Sequence, residues 1–127
     1  MRDKNMVLKK LVLGAAMILP LSANAQSQLP PKAYIIAEIE VVDATAYEGY
    51  KSAVAPIVAK YSGRYIVRGG QIKTIEGDAP KGRVVVIEFA NVALAQAFLD
   101  SDEYRPVADI RHKTAKSRIM IVEGMTP

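Results

Sequence analysis

Gly63-Arg64-Tyr65-Ile66-Val67-Arg68-Gly69-Gly70 is the stretch of sequence that decides the fold. Its first glycine follows a helical pattern and is predicted to end that helix as the C′ residue, in the left-handed conformation. The apolar residues between the two arginines predict a strand. A diglycine inside a strand pattern is typical of a bulge or bend. The stretch therefore separates a helix from the strand that follows it.

The residues before this stretch predict a strand and then a helix. Residues 34–42 alternate between an apolar and a mixed face, as a strand does. The apolar face comprises Ile35, Ala37, Ile39 and Val41. Asp43 and Thr45 are both candidate N-caps, the second as part of a Thr-x-x-Glu capping box. The core-facing stripe of the helix comprises Tyr47, Tyr50, Val54, Ile57 and Tyr61. Pro56 within this helix predicts a kink.

The residues after the stretch predict the second half of the domain. The expected elements are an extended continuation over 72–76, a hairpin loop over 77–82, a strand over 83–89, a helix capped by Asn91 that breaks at 100–103, a restarted helix with Pro106 in its first turn that runs to about Ala115, and a final strand over 119–122. The order is β-α-β-β-α-β. We therefore predict an α+β, ferredoxin-like fold in which two helices cover one face of an antiparallel four-stranded sheet.

The third and fourth strands carry unbroken apolar runs instead of an alternating pattern. Such runs indicate strands that are buried on both faces. Two helices cover only one face of the sheet, so the other face needs a different cover. A second copy of the sheet is the simplest candidate, and we expect a face-to-face homodimer.

Residues 1–25 have the features of a cleavable signal peptide. A basic start is followed by the apolar run 11–21 and by an Ala-x-Ala site at Ala23 to Ala25. The run is shorter than the roughly 20 residues that span a bilayer, although an uncleaved anchor is the alternative. We expect an exported protein, periplasmic or secreted and free of the membrane after cleavage, with a flexible lead-in over 26–32 and one domain over 33–124.

The composition narrows the range of partners. Residues 1–25 hold four of the 17 basic and one of the 13 acidic residues, which leaves 13 against 12 and a net charge near +1. This balance gives no support for binding to nucleic acid. With no cysteine in the chain, disulfide bonds cannot stabilise it, so packing or association must do so.

A set of residues along the chain, in their order and spacing, is similar to the pattern of a known family. They are Asp43 with Tyr47 and Tyr50, Gly63-Arg64-Tyr65, Arg68-Gly69-Gly70, Glu76-Gly77, Arg83, Glu88-Phe89, Ser101 with Glu103-Tyr104, Arg111 and Val122-Glu123-Gly124. From Ala33 to Gly124 the chain resembles the family catalogued as domain of unknown function 1330, of the dimeric α/β-barrel superfamily. The resemblance implies a fold and a dimer but no established activity. Superfamily relatives include cofactor-independent monooxygenases, haem-degrading enzymes, lactone isomerases and stress-response proteins.

The sequence lacks the common catalytic and cofactor-binding motifs. It has no cysteine and one histidine, which excludes zinc sites built from these residues. No Gly-x-Gly-x-x-Gly, Walker or Gly-x-Ser-x-Gly motif occurs. We therefore expect no metal and no cofactor, and no catalytic residue is assigned.

Arg68 is the sharpest candidate for ligand binding. Its position beside the diglycine would let the guanidinium bind a ligand carboxylate through two parallel hydrogen bonds, while the glycines allow the ligand to approach the backbone. The spacing places Arg64 on the same face of the strand. The alternative is an ion pair between these arginines and Glu38, Glu40 or Glu88.

Further polar residues are candidates for the same site. Glu88 ends an apolar strand, so its pKa is expected to be raised unless Arg83 or Arg68 pairs with it. The remaining candidates are Tyr47, Tyr50 and Tyr104, whose phenols would line a pocket mouth or belong to the core, and Arg111 as polar support. His112 lies in a basic cluster, as a proton-transferring residue or as a surface residue at a helix end.

Together these observations predict an uncharacterised exported dimeric α/β-barrel protein. In the preferred interpretation it binds a small acidic or phenolic organic ligand between sheet and helices. The alternative is a cofactor-independent monooxygenase or isomerase-like enzyme with Glu88 or His112 as base. A structural interaction module is a third class, and whether the protein is an enzyme stays open.

Overall fold

The computed structural model describes residues 28–127. The predicted signal peptide, residues 1–25, and the first two residues of the predicted lead-in lie outside the described residues. The elements are β1 (Ala33–Val41), α1 (Ala44–Lys60), β2 (Arg64–Arg68), β3 (Arg83–Phe89), α2 (Val92–Asp100), α3 (Tyr104–Thr114) and β4 (Ala115–Glu123). The predicted order is confirmed. The second helix is divided into α2 and α3 at residues 101–103, which confirms the predicted break at 100–103 and the restarted helix with Pro106 in its first turn.

The four strands form one antiparallel sheet in the order β2-β3-β1-β4. Ile35 of β1 lies opposite Ile87 of β3 and Ile121 of β4, which fixes the register of the central strands. This arrangement is the ferredoxin-like fold that the sequence predicted. Within residues 28–127, no helix is long and apolar enough to cross a membrane.

One face of the sheet packs against the helices and forms the core. The buried residues of the strands alternate along β1 and β3, as the period of a strand requires. They are Ala33, Ile35, Ala37, Ile39, Val85, Ile87 and Phe89. Phe98 of α2 packs against Phe89 at a centroid distance of 5.6 Å and against Tyr104 of α3 at 4.5 Å. This aromatic cluster joins both segments of the divided helix to the sheet.

The N-cap of helix α1 is one of the two residues predicted for this role. Asp43 is the N-cap, and its carboxylate accepts a hydrogen bond of 3.1 Å from the Ala46 amide. Thr45 lies inside the helix. The helix continues unbroken through Pro56, whose side chain is exposed. Its buried residues are Tyr47, Tyr50, Val54 and Val58, while Ile57 and Tyr61 are half-buried.

The end of α1 differs by one residue from the prediction. Ser62, not Gly63, has the left-handed conformation, with φ of 60°. The Gly63 amide donates to the Val58 carbonyl and the Ser62 amide to the Ala59 carbonyl, both at 2.9 Å, which is a complete Schellman motif. Gly63 is required for a different reason, since a Cβ there would lie 2.8 Å from the Phe89 ring and from Val58.

The second strand also departs from the prediction. The register shift falls between Tyr65 and Val67, so the bulge is at Ile66 and not at the diglycine. The strand ends at Arg68, and residues 69–82 form a loop without a strand, so the expected continuation over 72–76 is wrong. The bulge places Arg64 opposite Glu88 and Arg68 opposite Val85. The two arginines therefore lie on opposite faces of the sheet, and the prediction of a shared face is wrong.

Among residues 28–127, no helix packs on the face of the sheet turned away from α1, α2 and α3. We call it the open face. Its centre is apolar, with Ile36 opposite both Val86 and Met120. These side chains and Val84 are half-buried, and ion pairs of Glu88 with Arg64 and of Glu38 with Arg118 lie at its ends. The single chain thus buries one face of β3 and β4, whereas the apolar runs predicted burial of both.

Candidate functional site

A small cavity lies between α1 and the helix-facing side of the sheet. Its volume is about 30 Å³, which is room for one or two water molecules. Most of its wall is apolar and comes from the core strands and Phe98. The polar side chains in the wall are Tyr47, Tyr50, Lys51, Tyr65, Arg68, Arg83 and Tyr104.

Lys51, Arg68 and Arg83 form what we call the cationic mouth of this cavity. The same three residues also line a depression on the surface, so they separate the cavity from solvent. The Arg68 guanidinium donates to the Lys51 carbonyl at 3.1 Å and lies 4.3 Å from the centroid of the Tyr65 ring. No aspartate or glutamate lines the cavity within residues 28–127. Glu48, which also lines the surface depression, pairs with Lys51 at 2.8 Å. Arg68 and Arg83 are therefore the basic side chains of the mouth without an ion pair among residues 28–127.

Gly69 shapes the mouth through its backbone. It has a φ of +71°, and a Cβ at this position would lie 2.6 Å from Nη2 of Arg83. Its amide donates to the Val84 carbonyl at 2.9 Å. Gly70 has open space around it and no positive φ. Of the two glycines, only Gly69 is therefore needed for conformation and for the close approach of Arg83.

Two tyrosines of the cavity wall, Tyr50 and Tyr104, are joined through their buried hydroxyls, which we call the inner pair. The hydroxyl oxygens of Tyr50 and Tyr104 lie 2.9 Å apart. Arg111 donates from Nη2 to the Tyr104 oxygen at 3.4 Å and from Nη1 to Ser117 Oγ at 2.5 Å. Its guanidinium carbon lies 5.8 Å from the Tyr50 ring centroid. The inner pair thus joins α1 to α3 and, through Arg111, to β4.

Arg111 is buried without an ion pair among the described residues. The residue is 6 % exposed, and its Nε atom has no hydrogen-bond partner in residues 28–127. A buried charge without a counter-charge is costly unless other groups stabilise it. Here the aromatic rings and hydroxyls around the guanidinium are its stabilising contacts.

Three tyrosines of the cavity, Tyr47, Tyr50 and Tyr65, are held in the neutral form. Burial raises the pKa of Tyr50, and the neighbouring Tyr104 hydroxyl raises it further. Burial also raises the pKa values of Tyr47 and Tyr65, against the opposing effects of Arg83 and Arg68, respectively. At neutral pH these phenols therefore donate and accept hydrogen bonds and do not act as bases.

The structure brings five of the six predicted site residues together. Tyr47, Tyr50, Arg68 and Tyr104 line the cavity, and Arg111 contacts the inner pair from behind. The sixth, Glu88, lies on the open face, on the other side of the sheet.

The predicted partner and pKa of Glu88 are corrected by the structure. Its carboxylate pairs with Arg64 at 3.0 Å and with Lys32 at 3.5 Å, and not with Arg83 or Arg68. The hydrogen bond from Arg64 holds the pKa of Glu88 below its ordinary value, against the opposing effect of burial. The ion-pair alternative therefore holds for Arg64. Within residues 28–127, Arg68 forms no ion pair and donates to a backbone carbonyl.

His112 lies on the surface of α3, where its imidazole is 3.5 Å from the Asp109 carboxylate. Its side chain is 60 % exposed and does not line the cavity. In residues 28–127, no group of three or more metal-ligating side chains lies together.

Sequence reasoning missed three residues of the site: Lys51, Tyr65 and Arg83. Arg83 lies two positions before Val85 and four before Ile87, which are both buried against the helices. The period of a strand therefore places Arg83 on the same, helix-facing side. That signal was present in the sequence.

Lys51 lies four positions after Tyr47 and three before Val54, so the helical period placed it beside the buried stripe of α1. Tyr65 gave no comparable signal, because the bulge at Ile66 decides which residues of β2 face the helices.

Comparisons with solved structures support the fold. A protein of unknown function from Rhodopseudomonas palustris is 18 % identical, with 84 % of this chain and 89 % of that one covered and a TM-score of 0.62. SnoaB, a cofactor-independent oxygenase from Streptomyces nogalater, is 13 % identical over 76 % of this chain and 96 % of its own, with a TM-score of 0.55. A dimeric protein of unknown function and ferredoxin-like fold from Bacteroides fragilis is 13 % identical over 75 % and 98 %, with a TM-score of 0.52.

Similarity in sequence assigns the family. No curated protein matches the chain significantly. The family model described as domain of unknown function (DUF1330) matches residues 32–125, which include every strand and helix described above. The chain belongs to the DUF1330 family.

Proposed function

We propose that the protein binds a small acidic or phenolic organic ligand in the cavity between sheet and helices. The observation that carries the proposal is the cationic mouth, in which Arg68 and Arg83 border an apolar space without an ion pair among residues 28–127, while Lys51 pairs with Glu48. A ligand carboxylate would supply the missing negative charge. An aromatic ring would occupy the apolar space, as in most small-molecule sites.

Ligand entry requires the mouth to open. Sites for organic ligands usually have volumes of several hundred Å³, whereas this cavity has about 30 Å³. Arg68 is exposed and is held by one hydrogen bond and the contact with Tyr65. We propose that its side chain moves outward when the ligand enters and then contacts the ligand carboxylate.

The test compares Arg68→Ala with the matched variant Arg64→Ala. Both arginines belong to β2, but only Arg68 lies at the cavity. Benzoate and 4-hydroxybenzoate are titrated against each protein by calorimetry and thermal denaturation. We expect binding to the wild type and to Arg64→Ala, and a loss of about tenfold or more in affinity for Arg68→Ala. Equal affinities in the two variants would contradict the proposal.

A cofactor-independent monooxygenase is the second candidate. SnoaB, which shares the fold, is such an oxygenase. The two bases first considered, Glu88 and His112, lie outside the cavity. Tyr47, Tyr50 and Tyr65, which line it, are neutral because burial raises their pKa values. An oxygenase would therefore rely on a substrate that ionises by itself. Oxygen consumption with a hydroquinone substrate, lost in Tyr104→Phe, would favour this candidate over simple binding.

We further propose that two copies pair through their open faces. The apolar centre around Ile36, Val86 and Met120 is half-covered by the single chain, and a twofold axis would bury it against itself. The dimeric protein from Bacteroides fragilis with a ferredoxin-like fold supports this arrangement.

The dimer is tested with Val86→Glu and the control Val92→Glu. Val92 is a partly exposed apolar residue on α2, away from the open face. Light scattering should give about 22 kDa for the wild-type domain and the control, and about 11 kDa for Val86→Glu. A wild type of about 11 kDa at micromolar concentration would overturn the proposal.

Export is a separate proposal, which rests on the signal-like sequence of residues 1–25. Expression of the full chain with a C-terminal tag, followed by fractionation and N-terminal sequencing, should give a periplasmic or secreted product that begins at Gln26. A product in the cytoplasm with residues 1–25 intact would contradict it.

A further inference from the structure

One hydroxyl proton of the inner pair has no acceptor among residues 28–127. Arg111 can only donate, so the Tyr104 oxygen accepts from it. One of the two tyrosine hydroxyls then donates to the other across 2.9 Å. Whichever of them donates, the proton of the other has no acceptor within residues 28–127. The Nε atom of Arg111 is a further donor without a partner.

A buried donor without an acceptor costs free energy, and proteins rarely leave one in place. Tyr50 and Tyr104 both line the cavity, which makes it the candidate location for an acceptor of the free hydroxyl proton. A water molecule fits the space and satisfies the donor when no ligand is present. An organic ligand that displaces this water must offer an acceptor of its own.

We propose that the cavity wall at the inner pair is a subsite for a ligand oxygen that accepts hydrogen bonds, either a carbonyl or a phenolate. The free hydroxyl proton of the inner pair binds this oxygen, and the positive charge of Arg111 lies behind it. Protonated amines are excluded, because they can only donate. This subsite rests on the proposed ligand binding and specifies it: the ligand carries an acidic group for the cationic mouth and an acceptor oxygen at its far end.

The geometry predicts an unusual response to mutation. If Tyr50 is replaced by Phe, the Tyr104 hydroxyl still accepts from Arg111 and its proton is free for the ligand. If Tyr104 is replaced by Phe, the Tyr50 proton becomes free instead. Each single variant therefore keeps one donor, and only the double variant has none.

The experiment uses two ligands of nearly equal shape, 4-acetylbenzoate and 4-isopropylbenzoate, of which only the first has a carbonyl. Affinities are measured by calorimetry for the wild type, Tyr50→Phe, Tyr104→Phe, the double variant and the control Tyr61→Phe. Tyr61 donates to Glu103 outside the cavity. We expect the wild type and the control to prefer the carbonyl ligand about fivefold. Each single variant should keep most of this preference, and the double variant should lose it.

The two proposals fail in different ways. If both acids bind equally well and depend on Arg68, the acceptor subsite is overturned and acid binding stands. If neither acid binds, the uncharged pair acetophenone and isopropylbenzene is compared by ligand-observed NMR. A preference for acetophenone that the double variant loses supports the subsite alone, and no preference overturns it.

Discussion

The hydroxyl oxygens of Tyr50 and Tyr104 lie 2.9 Å apart although the residues are 54 positions apart in the chain. The pair links the first helix to the last one at the wall of the cavity. Through Tyr104 it also contacts Arg111, a buried guanidinium without a carboxylate partner among the described residues. The stability of the fold and the proposed ligand preference thus involve the same few polar atoms.

Removal of the Tyr104 hydroxyl should cost more stability than removal of the Tyr50 hydroxyl. Tyr104→Phe takes away the acceptor of Arg111 Nη2, which leaves a buried charged donor unsatisfied at a cost of about 1–3 kcal/mol. Tyr50→Phe removes one neutral hydrogen bond, worth about 0.5–1.5 kcal/mol. Urea denaturation measures both, with Tyr61→Phe as the control. A larger loss for Tyr50→Phe would show that Arg111 finds another acceptor.

Substitutions at Ser62 and Gly63 should change the stability of the fold in opposite directions. Ser62→Gly relieves the left-handed strain at φ of 60° and should stabilise the fold by roughly 0.5–1 kcal/mol. Gly63→Ala forces a Cβ against Phe89 and Val58 and should destabilise it by about 1–3 kcal/mol. Thermal denaturation of the two variants distinguishes this assignment from one in which Gly63 is the left-handed residue. In that case Ser62→Gly would not stabilise the protein.

The Glu88 ion pair should contribute to stability only above acidic pH. Its pKa in the folded state is below the ordinary value of 4.5, first through the hydrogen bond from Arg64. A lowered folded-state pKa gives a contribution that is present above about pH 4.5 and is lost as the pH falls through the folded-state pKa. An NMR titration of the Glu88 carboxyl carbon should show the lowered pKa in the wild type and a higher one in Arg64→Gln. An unchanged pKa in Arg64→Gln would assign the effect to Lys32.

The buried tyrosines should make the fold sensitive to strong base. Burial raises the pKa of Tyr50 above its ordinary value of 10.0, and those of Tyr47 and Tyr65 in the same direction. A raised folded-state pKa gives stability that is fully present below the unfolded-state pKa and declines as the pH rises above it. Tyrosinate absorbance should therefore appear in two stages, the second together with unfolding by circular dichroism. Ionisation of all six tyrosines in one stage, with the fold intact, would contradict the assigned burial.

Local features of the sequence predicted the order and type of most elements. The alternation in β1, the Asp43 cap and the apolar stripe from Tyr47 to Val54 depend on neighbouring residues, and such signals are readable without a structure. Four of the six site candidates line one cavity. Two of them, Tyr47 and Tyr50, share one helix face, and residues on one face stay together when the elements pack.

The chain by itself thus determined a β-α-β-β-α-β domain with a buried helix-facing sheet surface, because these follow from local periodicity and caps. Only the tertiary structure decided which side of the sheet each arginine of Gly63 to Gly70 occupies. One bulged residue, Ile66, places Arg64 with Glu88 on the open face and Arg68 at the cavity. Since a strand has a period of two, a shift of one residue reverses every side chain beyond it, and cross-strand pairing sets that shift.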